Sequence, residues 1–293
     1  MSGFNALPAP LRGAIWMIMG GLSLVIMAAD IRYLVPKFSI LEMIFLRNVI
    51  SLCLILPWAL KGGVVVLRTR RLGLHVFRNA IHYLGNLGWF LGVILVPLAD
   101  VSALQFTIPL FLVVMAALIL RENIGPHRWW ATAIGFMGML VIVRPGYIPI
   151  GLGAVALLLS SMFYASSQTA TKILSRTDSP NLVLFYMTVI FVPMSLVPAL
   201  FGWVTPGLDD VVPLLVLGIT GFTAHFCMIR SLAAADASFV VPFDFLRLPM
   251  SAVAGFLLFH ERPDMWVWIG ASIIFASAYY NTRRETRITV TSV

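Results

Sequence analysis

The stretches "ADVSALQFTIPLF" (residues 99–111) and "ADASFVVPFDFLRLPM" (residues 235–250) decide how this chain folds. Both open on Ala-Asp-x-Ser, both run into apolar sequence, and they stand 136 residues apart. Each leads on to a glutamate and then a tryptophan: Glu122 and Trp129 in "LRENIGPHRWW", Glu261 and Trp268 in "FHERPDMWVW". The interval from Asp to Glu is 22 residues in the first copy and 25 in the second. The three extra residues fall in the stretch that holds Asp244 and Arg247. The chain is therefore a duplication, and its composition names the solvent. Of 293 residues 60% are hydrophobic and only 11% charged, against about one-quarter charged in soluble domains. With a mean hydropathy of +0.96, this is a polytopic membrane protein.

A membrane-spanning helix needs about 20 mostly apolar residues. Ten runs qualify: 11–30, 39–60, 74–96, 99–120, 127–143, 150–174, 181–201, 211–230, 236–259 and 265–281. The first lacks a small-x-small cleavage site and is read as a span rather than a signal peptide. Connections are short and leave no room for a soluble domain. The net charge of +8 does not point to nucleic acid, because the basic residues are scattered between apolar runs and form no domain-sized face. They bear on topology instead. The side carrying both termini holds 13 Lys and Arg, including Arg68, Arg70 and Arg71, and the other side holds 4. By the positive-inside rule both termini are expected in the cytoplasm, with the protein in the inner membrane. Spans four and five recur as nine and ten, so a five-helix unit was copied. Five is odd, and the second copy must enter the membrane from the opposite side, which gives inverted repeats. The expected division is residues 1–146 and 147–293.

At this point the sequence resembles a known family. Ten spans in two five-helix halves, with "PLADVSALQFTIPLF…LILRE" from Pro97 to Glu122 and its weaker echo "AADASFVVPFDFLRLPM…LLFHE" from Ala234 to Glu261, look like the EamA branch of the drug/metabolite transporter superfamily. The resemblance covers nearly the whole chain. It implies an all-α bundle with a central cavity between the halves, working by alternating access on a small-molecule substrate. Members include exporters of amino acids and importers of riboflavin and of S-adenosylmethionine.

Charged residues inside spans are expensive and usually face a cavity or a partner. Asp244 and Arg247 are three apart in span nine, close enough to pair, and Pro242 and Pro249 loosen the backbone around them. In span two, Glu42 and Arg47 are five apart and point in different directions. Their counterparts in the second half, Leu182 and Met187, are uncharged. Arg47 lies deeper and is read as meeting a substrate carboxylate or pairing with Asp244, while Glu42 lies near the water. In span three His75, Asn79, His82, Asn86 and Trp89 follow steps of four, three, four and three, a single helical stripe, with Arg78 beside it. Span six carries a matching stripe of Ser160, Tyr164, Gln168 and Thr171, and Gln105 and Trp16 complete the lining. The substrate-binding candidates are Arg47, His82, Asn86, Trp89, Gln105, Tyr164, Gln168, Asp244 and Arg247. Those for coupling to protons are Glu42, His82 and Asp244. His225 is read as structural, Glu122 and Glu261 as helix-end caps, and Gly88-x-x-x-Gly92 as a close-packing motif.

Other classes lack their residues. Cys53 and Cys227 lie inside apolar runs and support neither a disulfide framework nor a metal site. No metal-ligand cluster, phosphate-cradling glycine loop or hydrolase triad stands in an interpretable context, so neither an enzyme nor a cofactor is expected. The expected partners are a small-molecule substrate, the lipid bilayer and, for coupling, protons, and a homodimer stays open. The leading expectation is export of an amino-acid-like amphipathic metabolite, with Arg47 or Arg247 on its carboxylate. The alternatives are an importer of a riboflavin- or S-adenosylmethionine-type metabolite and a non-transporting receptor.

Overall fold

The computed structural model describes residues 7–119, 126–144, 151–234, 240 and 243–291. Glu122 and Asp236 lie outside them. The described chain is all-helical: α1 (Ala9–Leu34), α2 (Ile40–Val66), α3 (Leu72–Leu95), α4 (Leu98–Gln105), α5 (Ile108–Leu118), α6 (Pro126–Val143), α7 (Leu152–Leu174), α8 (Pro180–Ala199), α9 (Val211–Ala234), α10 (Arg247–Phe259) and α11 (Met265–Thr291). A single 3₁₀ turn, Leu208–Asp210, precedes α9. In hydrocarbon every backbone polar group must be satisfied within its own segment, and long apolar runs achieve this only as helices. Proline begins several of them, at positions where its missing N–H costs nothing: Pro10 in α1, Pro126 in α6 and Pro180 in α8.

Five stretches are long and apolar enough to span by composition alone: 9–34, 40–63, 98–115, 180–199 and 208–231. Helices α3 and α7 are not among them, although each has more than 20 residues. They carry the two polar stripes, and they pack on each other. His75, Arg78, Asn79, His82 and Asn86 are all buried, so the stripe of α3 faces protein and not lipid.

Packing follows the duplication. Helix α1 lies on α9, α3 on α7, α2 on α8, α6 on α11, and α4 on α10. In terms of spans these pairs are one with eight, three with six, two with seven, five with ten, and four with nine. Exchanging the two halves turns the first pair into the second and returns each of the others to itself. The architecture is thus ten transmembrane helices in two inverted five-helix repeats. Glycines set the closest approaches. A Cβ at Gly88 would stand 2.7 Å from the carbonyl oxygen of Ala156, and one at Gly92 would stand 2.3 Å from Cγ of Leu157, which makes the Gly88-x-x-x-Gly92 motif the seam between α3 and α7. Gly138 and Gly270 meet in the same way between α6 and α11.

Candidate functional site

The two stretches that revealed the duplication are both broken helices. Span four stops at Gln105, turns through Phe106 and Thr107, and resumes at Ile108. The cause is Pro109, which has no N–H for the carbonyl of Gln105 and whose ring crowds it. Span nine turns at Phe245 and Leu246 and resumes at Arg247, with Pro249 in its first turn. The rings of Phe106 and Phe245 stack across the gap at 4.1 Å, so the two breaks meet. Asp244 and Arg247 straddle the second break and form an ion pair at 3.5 Å. The guanidinium of Arg247 also lies 5.1 Å from the centre of the Phe106 ring. Gly21 of α1 closes over this pair, its missing Cβ 3.5 Å from Cβ of Arg247.

Beside the breaks, α3 and α7 run antiparallel and exchange side chains turn by turn. Arg78 Nε donates to Thr171 Oγ1 at 3.1 Å, and His82 Nδ1 meets Ser167 Oγ at 3.2 Å. The hydroxyl of Tyr164 donates to Asn86 Oδ1 at 3.3 Å, and Ser160 Oγ donates to the carbonyl of Gly85 at 2.7 Å. Arg47 enters from α2, where its Nη1 donates to Asn86 Oδ1 at 3.1 Å while its guanidinium stands 5.3 Å from the Phe90 ring. Gln105 joins this ladder to the broken helix by donating to Ser161 Oγ of α7 at 3.1 Å. Rings surround the polar groups: His82 lies 4.9 Å from Tyr164, 5.6 Å from Phe191 and 5.7 Å from His225.

Both ends of the bundle are latched. At the end away from the termini, Arg32 of α1 binds the carboxylate of Glu261 and the carbonyls of Val93 and Val96. Glu261 in turn accepts from the backbone N–H of Leu98, the first residue of α4, at 2.9 Å. Glu261 is therefore a cap, as its position implied, but of α4 rather than of its own helix. At the same end Glu42 accepts from the N–H of Val204 at 3.3 Å, and Lys37 pairs with Asp210. Asp210 also accepts from the N–H of Gly207 at 2.7 Å. At the end carrying the termini, Asp178 in the turn after α7 accepts from Thr69 and meets His75 Nε2, both at 2.7 Å. Burial pushes its carboxyl upward, but the bonds from Thr69, His75 and Thr177 outweigh it and leave the group below the usual carboxylate range.

Most of the expected site residues come together. Arg47, His82, Asn86 and Tyr164 form one network, Gln105 bonds α7 separately at Ser161, and Asp244 and Arg247 pair with each other. The alternative pairing of Arg47 with Asp244 is not observed: Arg47 meets Asn86, and Asp244 is held by Arg247. Trp89 packs in the apolar core, edge-on to Phe90 at 5.7 Å. The rung expected of Gln168 is filled by Ser167. His225 bonds back to the carbonyl of Gly221 at 3.0 Å, the structural arrangement expected of it. Sequence reasoning missed Asp178 and Thr69 and the hub at Arg32, whose partners lie more than 60 positions away.

The comparisons with known proteins agree with this architecture. A riboflavin transporter of Vibrio cholerae is 33% identical over 95% of this chain and 95% of its own. One of Rhizobium johnstonii is 31% identical over 94% and 92%. An S-adenosylmethionine uptake transporter of Rickettsia prowazekii is 29% identical over 94% of each. A crystal structure of a protein 17% identical matches 96% of this chain and 98% of that one with a TM-score of 0.65, a likeness of fold. The profile of the EamA-like transporter family matches residues 11–144 and again 151–283, once on each five-helix half, and the chain belongs to that family of membrane transporters.

Proposed function

We propose that this protein is a secondary transporter that takes up a flat, ring-bearing metabolite of the flavin class by alternating access. The observation that carries this reading is a cluster of amide, hydroxyl and aromatic groups: Asn86 bonded to Arg47 and Tyr164, the Tyr164 ring beside His82, and Gln105 bonded to α7 next to the Phe106–Phe245 stack at the helix breaks. Such a lining offers flat apolar contact plus a few directed hydrogen bonds, which suits a conjugated ring system. The names of the riboflavin transporters support the chemical class, and that of the Rickettsia protein, an uptake transporter, supports the inward direction. They favour the riboflavin- or S-adenosylmethionine-type alternative over the amino-acid exporter expected from the sequence, since the Vibrio, Rhizobium and Rickettsia proteins carry riboflavin or S-adenosylmethionine in their names. We place both termini in the cytoplasm, the protein in the inner membrane and the boundary between the repeats at residues 146 and 147. Broken helices four and nine are the elements that rearrange between the outward and inward states.

The test is uptake of labelled riboflavin by cells that lack their own importer, with S-adenosylmethionine in parallel. Wild type should accumulate flavin. Asn86→Leu and Arg47→Ala should lower uptake about tenfold or more at equal membrane abundance, the scale of losing a directed buried polar contact. Accumulation of S-adenosylmethionine and not of flavin would overturn the reading, and unaltered flux in Arg47→Ala would remove that arginine from the mechanism.

A further inference from the structure

We infer that the α3–α7 site holds its substrate by an anionic oxygen group, a phosphate or a carboxylate, bound between Arg47 and Arg78 with His82 facing it. The inference rests on the transporter reading above but not on the flavin ring. It starts from two cations that the fold leaves without counter-ions. Arg47 is 3% exposed and Arg78 is 7% exposed. A guanidinium stays protonated in proteins and carries five N–H donors. Arg47 commits one, to Asn86, and Arg78 commits two, to Asn79 and Thr171. All of these acceptors are neutral. Among the described residues no carboxylate forms an ion pair with either arginine. The acid expected for Arg47 is occupied by Arg247, and the nearest acid at the α3 terminus, Asp178, is occupied by Thr69 and His75.

The third component lies between the two cations. Positions 78, 82 and 86 follow one face of α3 on successive turns, with Arg78 at the first, His82 at the second, and Asn86, the residue Arg47 binds, at the third. His82 is 7% exposed, and its Nδ1 is held by Ser167. Its Nε2 is buried without a partner. Burying an unpartnered nitrogen near two guanidinium groups that have no counter-ion is costly. An oxyanion supplies what all three lack, accepting from both forks and from the imidazole N–H. The same charges disfavour a bare cation, which separates this site from one built for a sulfonium compound.

The experiment uses the full-length protein in lipid nanodiscs. Binding is read as the rise in apparent melting temperature with riboflavin, with riboflavin 5′-phosphate and with inorganic phosphate alone, in wild type, Arg47→Gln and Arg78→Gln. The phosphate ester should bind roughly ten- to a hundredfold more tightly than riboflavin, the span of a charge-assisted hydrogen bond, and that preference should disappear in either variant. Unliganded Arg78→Gln should melt no lower than wild type, because it removes a charge that had no counter-ion. If a glutamine variant does not fold, Arg78→Lys keeps the charge and should keep the preference. Equal affinity for the two flavins, or a preference that survives both substitutions, overturns the anion site and leaves the flavin reading intact. Arginine-dependent stabilisation by inorganic phosphate with no response to either flavin upholds the anion site and overturns the flavin reading. No response to any of the three overturns both.

Discussion

Glu261 offers the most quantitative test of the fold, because one carboxylate serves two segments from the first half of the chain. Its Oε1 pairs with Arg32 of α1, and its Oε2 accepts from the N–H of Leu98 at the start of α4. Glu261→Gln keeps an acceptor for Leu98 and removes the charge, leaving Arg32 with the carbonyls of Val93 and Val96. Removing one partner from a fully buried pair costs about 3–5 kcal/mol, and from an exposed pair about 0.2–1 kcal/mol. The Arg32 and Glu261 side chains are 11% and 20% exposed, and they border a cavity of about 350 Å³ that admits water. The expected cost is therefore intermediate, about 2 kcal/mol. Glu261→Ala also strips the N–H of Leu98 of its acceptor and should cost about 1 kcal/mol more, the value of a helix N-cap. Thermal melts of the purified protein should rank wild type, Gln and Ala in that order. A double-mutant cycle with Arg32→Gln isolates the pair, and a coupling of about 1.5 kcal/mol or more is expected. Additivity within about 0.5 kcal/mol would show that the two groups do not act together and would refute the reasoning.

Two further predictions concern the α3–α7 seam and the latch at the terminal end. Gly88→Ala sets a Cβ 2.7 Å from a backbone carbonyl that cannot turn aside, so α3 must move off α7 at a cost of about 1–3 kcal/mol. Flavin uptake should fall while the protein still reaches the membrane, because the His82–Ser167 and Asn86–Tyr164 rungs lie within two turns of the glycine. Unchanged melting and uptake would mean that the seam is not close-packed. Asp178→Asn should destabilise by about 1 kcal/mol at neutral pH through loss of charge-assisted bonds. The folded carboxyl titrates below its unfolded value of about 3.9, so this stabilisation is complete above about pH 4 and is lost as pH falls through the lower folded value. The gap in melting temperature between wild type and Asp178→Asn should hold from pH 7 to 5 and shrink only in stronger acid, and a gap that closes near pH 6 would assign it to another group.

What the sequence disclosed was whatever repeats along the chain or around a helix. The duplicated motif revealed the inverted halves, and the stripe of α3 revealed a buried face. Gln168 stands off the α3–α7 ladder for a geometric reason. Ser160, Tyr164 and Gln168 step by four residues, and on a helix of 3.6 residues per turn each such step drifts about 40°, so by the third residue the stripe has left the face turned towards α3. The observed rungs at 160, 164, 167 and 171 correct the drift with a step of three. The latches at Arg32–Glu261 and Thr69–Asp178 carry no periodic signal, because their partners meet only after the chain has folded.

The relation between symmetry and site follows from the same residues. The breaks in spans four and nine align Phe106 with Phe245, which aligns the preceding residues, Gln105 and Asp244. The three extra residues of the second copy therefore lie ahead of the break. The scaffold is shared, as the meeting of the two rings shows, but the polar groups at it are not. Gln105 binds α7 as a neutral donor, whereas Asp244 forms an ion pair across its own break. Likewise Arg47 stands where the other half has Met187. Inverted repeats supply two exchangeable arrangements of one backbone, which alternating access requires. The flavin-class substrate proposed above has no such two-fold symmetry, so on that reading recognition is expected at positions where the copies differ. Arg47, Gln105 and Asp244 are such positions, and restoring the symmetry there by Arg47→Met should leave the fold intact while abolishing selective uptake.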